Sequence, residues 1–400
     1  MKLAKSLLLG SAAGLVAVAG AQAADLPVRA AAPVDYVRVC PAQGTGFFFI
    51  PGTETCLRVG GYVRVEARFD ERRASTVVPV RAQDDFTFFA RGQVFFDART
   101  ATEFGTLRSF VRLNADRPAG TTVLDQGFIQ FAGLTAGRIT SFFDFWGGNL
   151  MRGGLQTDET TELFAYTATF GGGFSATVSV ENPRRSTPVG LYGGRNLPDL
   201  VANLNVAQAW GSAQIMGALH QVRVSPLVNA AGIGDKTGWA VGAGVTVNLP
   251  MLAPGSAIWL QGVYADGALG YTYVGGARDF RRVTIPAFSD AYVVGGTLRT
   301  TKSWLLSAAI RHFWTPAIWS DLQGSWGQID VPTGVAAGVA RDTTLWQIGK
   351  RLNWRPVAGL TFSGEVTYTE GRRSRLVTDP VDFRRNDNRW GATIRVQRDF

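Results

Sequence analysis

His220 and His312 are the only histidines in this chain. A hydrolase of the Ser–His–acid kind would need one of them beside a serine and a carboxylate, and no such grouping is legible along the sequence. No cluster of His, Cys, Asp or Glu has the spacing of a metal site. No glycine-rich turn has the form of a phosphate cradle, so no cofactor is expected. The chemistry these residues do offer is electrostatic. Arginine recurs at Arg58, Arg64, Arg68, Arg91, Arg99, Arg108 and Arg112, while the stretch 141–162 carries Asp144, Asp158, Glu159 and Glu162. Acids folded opposite an arginine wall would set a transverse field across a water-filled gap, and such fixed charges decide which solutes pass. Arg64, Arg91 and Arg112 sit mid-segment and are the main candidates for that wall, with Arg68 and Arg108 beside them.

Strands are what could hold these arginines in line. From Leu57 to Phe69 the odd positions are Leu, Val, Gly, Val, Val, Ala and Phe, while the even positions include Arg58, Arg64, Glu66 and Arg68. Successive strand side chains point to opposite faces, so one face is charged and the other has no polar side chain. Phe86 to Thr100 repeats the scheme: Phe86, Phe88, Ala90, Val94, Phe96 and Ala98 oppose Thr87, Arg91, Gln93, Asp97 and Arg99. In the next segment Leu107, Val111 and Leu113 oppose Arg108, Arg112 and Asn114, and Phe174 to Glu181 alternates in the same way. No helix is read that could cover a second apolar face. The strands also have the ~9–11 residues that a tilted membrane-spanning strand needs. Trp210, Trp239, Trp314, Trp326, Trp354 and Trp390 gather near strand ends, as interfacial girdles do.

The connections alternate between two kinds. Seven are short, near 103–105, 133, 171–173, 210–211, 249–255, 314–316 and 355–359. Eight are long and polar, near 70–85, 116–122, 141–162, 182–198, 224–236, 266–296, 330–342 and 371–388. The pattern predicts an all-β, sixteen-stranded antiparallel transmembrane β-barrel with short turns on one rim and long loops on the other. Parity places 290–299 inside a loop or in a strand that runs on to Phe313. Closure is forced, because backbone polar groups cannot face hydrocarbon unpaired. A sixteen-stranded barrel leaves an aqueous lumen.

Composition agrees. Mean hydropathy is +0.05, and no segment after the N-terminus has 18 uninterrupted apolar residues. Lys2 and Lys5, the apolar run Leu7 to Ala19, and Ala21-Gln22-Ala23 read as a signal peptide over residues 1–23. Its removal takes the net charge from +9 to +7. The basic residues are arginines spread along strands, so nucleic acid is not an expected partner. Cys40 and Cys56 are the only cysteines; in an exported chain they are expected to close one disulfide loop in a periplasmic segment, 24–56, ahead of a barrel over 57–400.

Three stretches carry a family resemblance. Val37-Arg38-Val39-Cys40 with Ile50-Pro51-Gly52-Thr53-Glu54-Thr55-Cys56 to Arg64, Ala136-Gly137-Arg138 to Phe145, and Trp390-Gly391 to Phe400 resemble the alphaproteobacterial porins of rhizobia and Brucella. The resemblance implies outer-membrane pores for passive diffusion of small hydrophilic solutes, usually homotrimers, with the third loop folded inward. It implies lipid and lipopolysaccharide as surroundings, and a terminal Phe400 read by the barrel-assembly machinery. A substrate-selective channel for sugars or anions is the alternative; Tyr62 and Phe89 are the inner-face aromatics counted toward it. A barrel hydrolase is a remote one.

Overall fold

The computed structural model describes residues 38–71, 85–145, 150–184, 186, 192–272, 288–335, 342–373 and 386–400. The predicted signal peptide lies outside the described residues. Sixteen antiparallel strands form the barrel: β1 (Cys56–Asp70), β2 (Phe86–Thr102), β3 (Gly105–Arg117), β4 (Thr121–Phe131), β5 (Leu134–Thr140), β6 (Thr160–Gly171), β7 (Phe174–Glu181) and β8 (Asp199–Gln208), then β9 (Gly211–Val222), β10 (Lys236–Asn248), β11 (Ala257–Asp266), β12 (Lys302–Thr315), β13 (Ile318–Asp330), β14 (Thr343–Val357), β15 (Leu360–Arg373) and β16 (Asn386–Asp399). The sheet closes where β16 pairs with β1, from Gly391 opposite Asp70 to Asp399 opposite Tyr62. No helix among the described residues is long and apolar enough to cross a membrane.

The outer face follows from the alternation. Val63, Val65, Phe88, Phe96, Phe164, Leu204, Ile215, Leu306, Leu352 and Ile394 project outward and are exposed. The six tryptophans read as girdle residues sort into two levels. Trp239, Trp326 and Trp390 stand near the long-loop rim, and Trp210, Trp314 and Trp354 near the short-turn rim. Tyr264, Trp304, Trp346 and Tyr368 fill in the upper level, with ring pairs 4.9–5.4 Å apart. Such rings suit the membrane–water boundary, where an apolar body and a polar tip are both satisfied. His312 is in the same outward set, edge to face with Trp314.

Short turns and long loops alternate as the sequence predicts. One two-residue turn is Ala132-Gly133, both at positive φ. A side chain at Gly133 would press on the Thr167 carbonyl. One detail differs from expectation and one open placement is decided. The second loop shrinks to residues 118–120, because β3 and β4 stay paired past the point where the sequence turns polar. Residues 290–299 form a small hairpin of their own, Ala291–Val294 with Thr297–Thr300, inside the sixth loop, which settles the parity argument in favour of the loop. At the N-terminal end, Cys40 and Cys56 are disulfide-bonded, and Cys56 is the first residue of β1.

Candidate pore constriction

The arginines stand where the alternation puts them, on the inner face of β1–β3. Arg64 and Arg91 lie directly opposite in the register of β1 and β2. Like charges so placed repel, and each has a partner that relieves this. Arg91 forms a two-pronged pair with Asp116 on β3, both bonds 2.6 Å. Arg64 donates to the neutral amide of Gln397 on β16 at 2.8 Å and lies over the Tyr62 ring. Arg112 pairs with Asp125 at 2.5 Å. Asp125 is the extra residue of a β-bulge in β4, between the pairs Arg112–Gln126 and Leu113–Leu124, and bulges re-aim side chains in this way. Arg68 pairs with Glu66 and covers the Phe89 ring, and Arg99 and Arg108 share Asp97. The wall therefore alternates cations with acids from its own strands. Tyr62 and Phe89 are inner-face residues, as read.

The predicted loop acids are arranged differently from expectation. The described parts of the third loop, 141–145 and 150–159, do fold into the lumen, but its acids collect at its root. Asp144 is buried, bound to Arg184 of the fourth loop (3.1 and 3.2 Å), and accepts the Glu159 backbone N–H. Asp158 lies close by, and burial, with Asp144 second, pushes its carboxyl up to about 6. Glu159 is exposed at the loop base. Glu162 is not in the loop: it is the third residue of β6, points outward on the odd-in, even-out alternation of that strand, and pairs with Arg138 of β5. None of the four acids is brought opposite the arginine wall.

The wall opposite those arginines is instead the third loop's seat. Leu155 donates its N–H to Gln347, and its carbonyl accepts Ser307 and Ser325 hydroxyls at 2.7 and 2.6 Å. Gln156 accepts from Gln323, and Thr157 from Gln261. Gly349 and Gly244 on the inner wall leave room for Met151 and Phe145, with which a Cβ would collide. The far end of the loop is Arg152, whose guanidinium pairs with Asp70 of β1 and whose N–H donates to the Glu365 carboxylate of β15. Arg152 is the only basic residue in 141–162, and that isolation was the available signal for it.

The described parts of the sixth loop, 267–272 and 288–301, also fold inward. Leu269, Phe288 and Tyr292 bury against Leu155 and against Leu305, Ile329 and Leu345 of the barrel wall. Its Asp290 ties it down, accepting from Tyr192 (2.5 Å) and from the Ser186 and Leu269 N–H groups (both 2.7 Å). Burial pushes the Asp290 carboxyl upward. Beside it, buried His220 bonds Asp199 at 2.7 Å and Tyr192 at 3.1 Å, and Tyr271 donates to Asp199.

Together these loops pack against the half of the wall from β8 to β15. Gln261, Ser307, Gln323 and Gln347 there are at most 8% exposed. Across the lumen the side chains of Arg91, Arg99, Arg108 and Arg112 keep 27–29% of their surface. The lumen-facing ion pairs of β2–β4 thus keep more contact with water than the opposite wall does.

A family profile described as porin subfamily matches residues 25–391. The chain belongs to the porin subfamily. Porin Omp2b of Brucella neotomae is 32% identical over 99% of each chain, and that of Brucella suis 31% over the same share, which places this porin with the alphaproteobacterial relatives that the sequence resembles. Among solved structures, the outer-membrane channel DcaP of Acinetobacter baumannii has the same fold, with a TM-score of 0.71 at 16% identity over 88% of this chain and 99% of that one. This is an outer-membrane porin, and its lumen is a water-filled route for passive diffusion of small hydrophilic solutes.

Proposed function

We propose that the selectivity of this porin is set in the crescent between the arginine wall of β1–β4 and the inward-folded third loop, at the level of Arg64, Arg91 and Arg112. The observation that carries this is the asymmetry of exposure: water reaches the arginine side chains, while the opposite wall is covered. Seven wall arginines stand against four wall carboxylates, Glu66, Asp97, Asp116 and Asp125, which pair with five of them, so the crescent keeps a positive excess and prefers anions weakly. Reversal potentials in planar bilayers under a salt gradient test it; a clear cation preference would overturn it. A size-exclusion series of neutral solutes in liposome swelling gives the width of the passage.

The same reading extends to assembly. Residues 1–23 direct export. The outer face is bathed in lipid and lipopolysaccharide. Phe400, exposed at the short-turn rim with its N–H and carbonyl bonded to Gly61, serves as the assembly signal. The porin works as a homotrimer; a barrel of the same fold, OmpT of Vibrio cholerae (TM-score 0.54, 10% identity, 86% of this chain and 100% of that one), is described in a trimer form.

A further inference from the structure

The lower part of the crescent carries something a purely hydrophilic passage does not need. Phe95 of β2, Phe110 of β3 and Phe128 of β4 all point into the lumen. Phe95 and Phe110 have ring centroids 5.7 Å apart and an interplanar angle of 21°; for Phe110 and Phe128 the values are 5.1 Å and 23°. Gly60 on β1 leaves space for the Phe95 ring, which any side chain there would strike. Phe128 is buried behind the stack, and Phe95 and Phe110, half-buried rings that rise from the wall and stack, present their edges, not their faces, to the lumen. The remaining faces are held by cations: Arg108 lies 5.2 and 5.3 Å from the Phe110 and Phe128 centroids, and Arg58 lies 5.7 Å from Phe95. Below them Arg99 covers Phe47 of the disulfide-closed N-terminal segment at 4.6 Å.

The charge here is positive. Asp97 offsets one of Arg99 and Arg108, and Arg58 is exposed, with the Phe95 ring as its one partner among the described residues. The Phe400 backbone, held on Gly61, lies in the same region. Aromatic edges carry the positive part of the ring quadrupole, so they add to this field. An anion with an apolar body gains twice, from the guanidinium groups and from the ring edges. A small inorganic ion gains only the first. A sugar, which would stack on a ring face, finds those faces taken.

We propose that Phe95 and Phe110, backed by the buried Phe128 and framed by Arg58, Arg99 and Arg108, form a transit site for carboxylates carried on a flat apolar body. This rests on the lumen being the conduction path. The experiment is single-channel recording in potassium chloride with benzoate as probe, acetate as the charge control and benzyl alcohol as the apolar control. Benzoate is expected to produce concentration-dependent current block that acetate and benzyl alcohol do not. F95L/F110L keeps side-chain bulk and removes the ring edges, and it should raise the half-blocking concentration about fivefold. Arg58→Gln, at an exposed position that does not endanger folding, should raise it severalfold. A conducting channel that benzoate blocks no better than acetate, or equally in wild type and both variants, overturns the proposal. A channel silent in potassium chloride overturns instead the pore reading beneath it.

Discussion

Replacing Arg64 with glutamine removes one positive charge from the middle of the crescent while keeping a side chain that can still meet Gln397. The size of the effect follows from Coulomb's law. A permeating ion passing about 5 Å from the guanidinium feels about 0.8 kcal/mol in water. At physiological ionic strength the screening length is about 8 Å, which roughly halves this and leaves about a twofold effect on the local concentration of each ion. The effect has opposite signs for anions and cations, so the permeability ratio should move towards cations by about fourfold. In 1 M salt, where the screening length is about 3 Å, the shift should fall below twofold. The assay is the reversal potential of Arg64→Gln in planar bilayers at both salt concentrations. R91Q/D116N is the matched control: Arg91 and Asp116 are paired at 2.6 Å, and removing both leaves the wall's charge unchanged, so the ratio should hold. An unchanged ratio for Arg64→Gln in dilute salt would put Arg64 off the path. An equal shift in 1 M salt would show that the effect is not electrostatic. A shift in the double variant as large as that of Arg64→Gln would mean that arginine itself, rather than charge, sets selectivity.

Two further outcomes are expected. Asp158, raised to about 6 where the third loop is docked, takes up a proton more readily there than in a freed loop, so this contribution to docking is fully present below about pH 4 and lost as pH rises through about 6; current noise from loop excursions should therefore diminish from pH 7.5 to 5, and a pH response that persists undiminished in Asp158→Asn would refute the assignment. Asp290→Ala removes one carboxylate that receives two backbone N–H groups and the Tyr192 hydroxyl, bonds worth about 1.5–3 kcal/mol each to a charged acceptor; trypsin cleavage after Arg184 or Arg195 in intact cells should accelerate at least tenfold, and wild-type kinetics would show that the fourth and sixth loops are held elsewhere.

Strand number, the inner position of each arginine and the cysteine pair were legible because they depend on local patterns: a period of two, turn residues, and two thiols in an exported chain. Phe174–Glu181 has the same bounds in sequence and structure. The site was less legible because it depends on where loops land. Alternation cannot say that Asp125 is turned inward, because a bulge interrupts the period there. It places Glu162 outside once β6 is known to begin at Thr160, but the polarity of the preceding loop hides that start. Leu305, Ile329 and Leu345 break the polar-inside pattern on the upper wall, and the sixth loop and Leu155 of the third loop packed over them explain it. Arg184, which neutralises Asp144, comes from a different loop 40 residues away in sequence, a distance no local pattern spans.

The crescent has a consequence for how this protein could diversify. Water meets the barrel wall along β1–β4, one uninterrupted run of chain from Cys56 to Phe131, while β8–β15 serve as the bed for two folded loops. The part that filters is thus separable from the part that supports. Solute preference can drift, or be transplanted between relatives as a single cassette, without disturbing the packing that keeps the passage narrow.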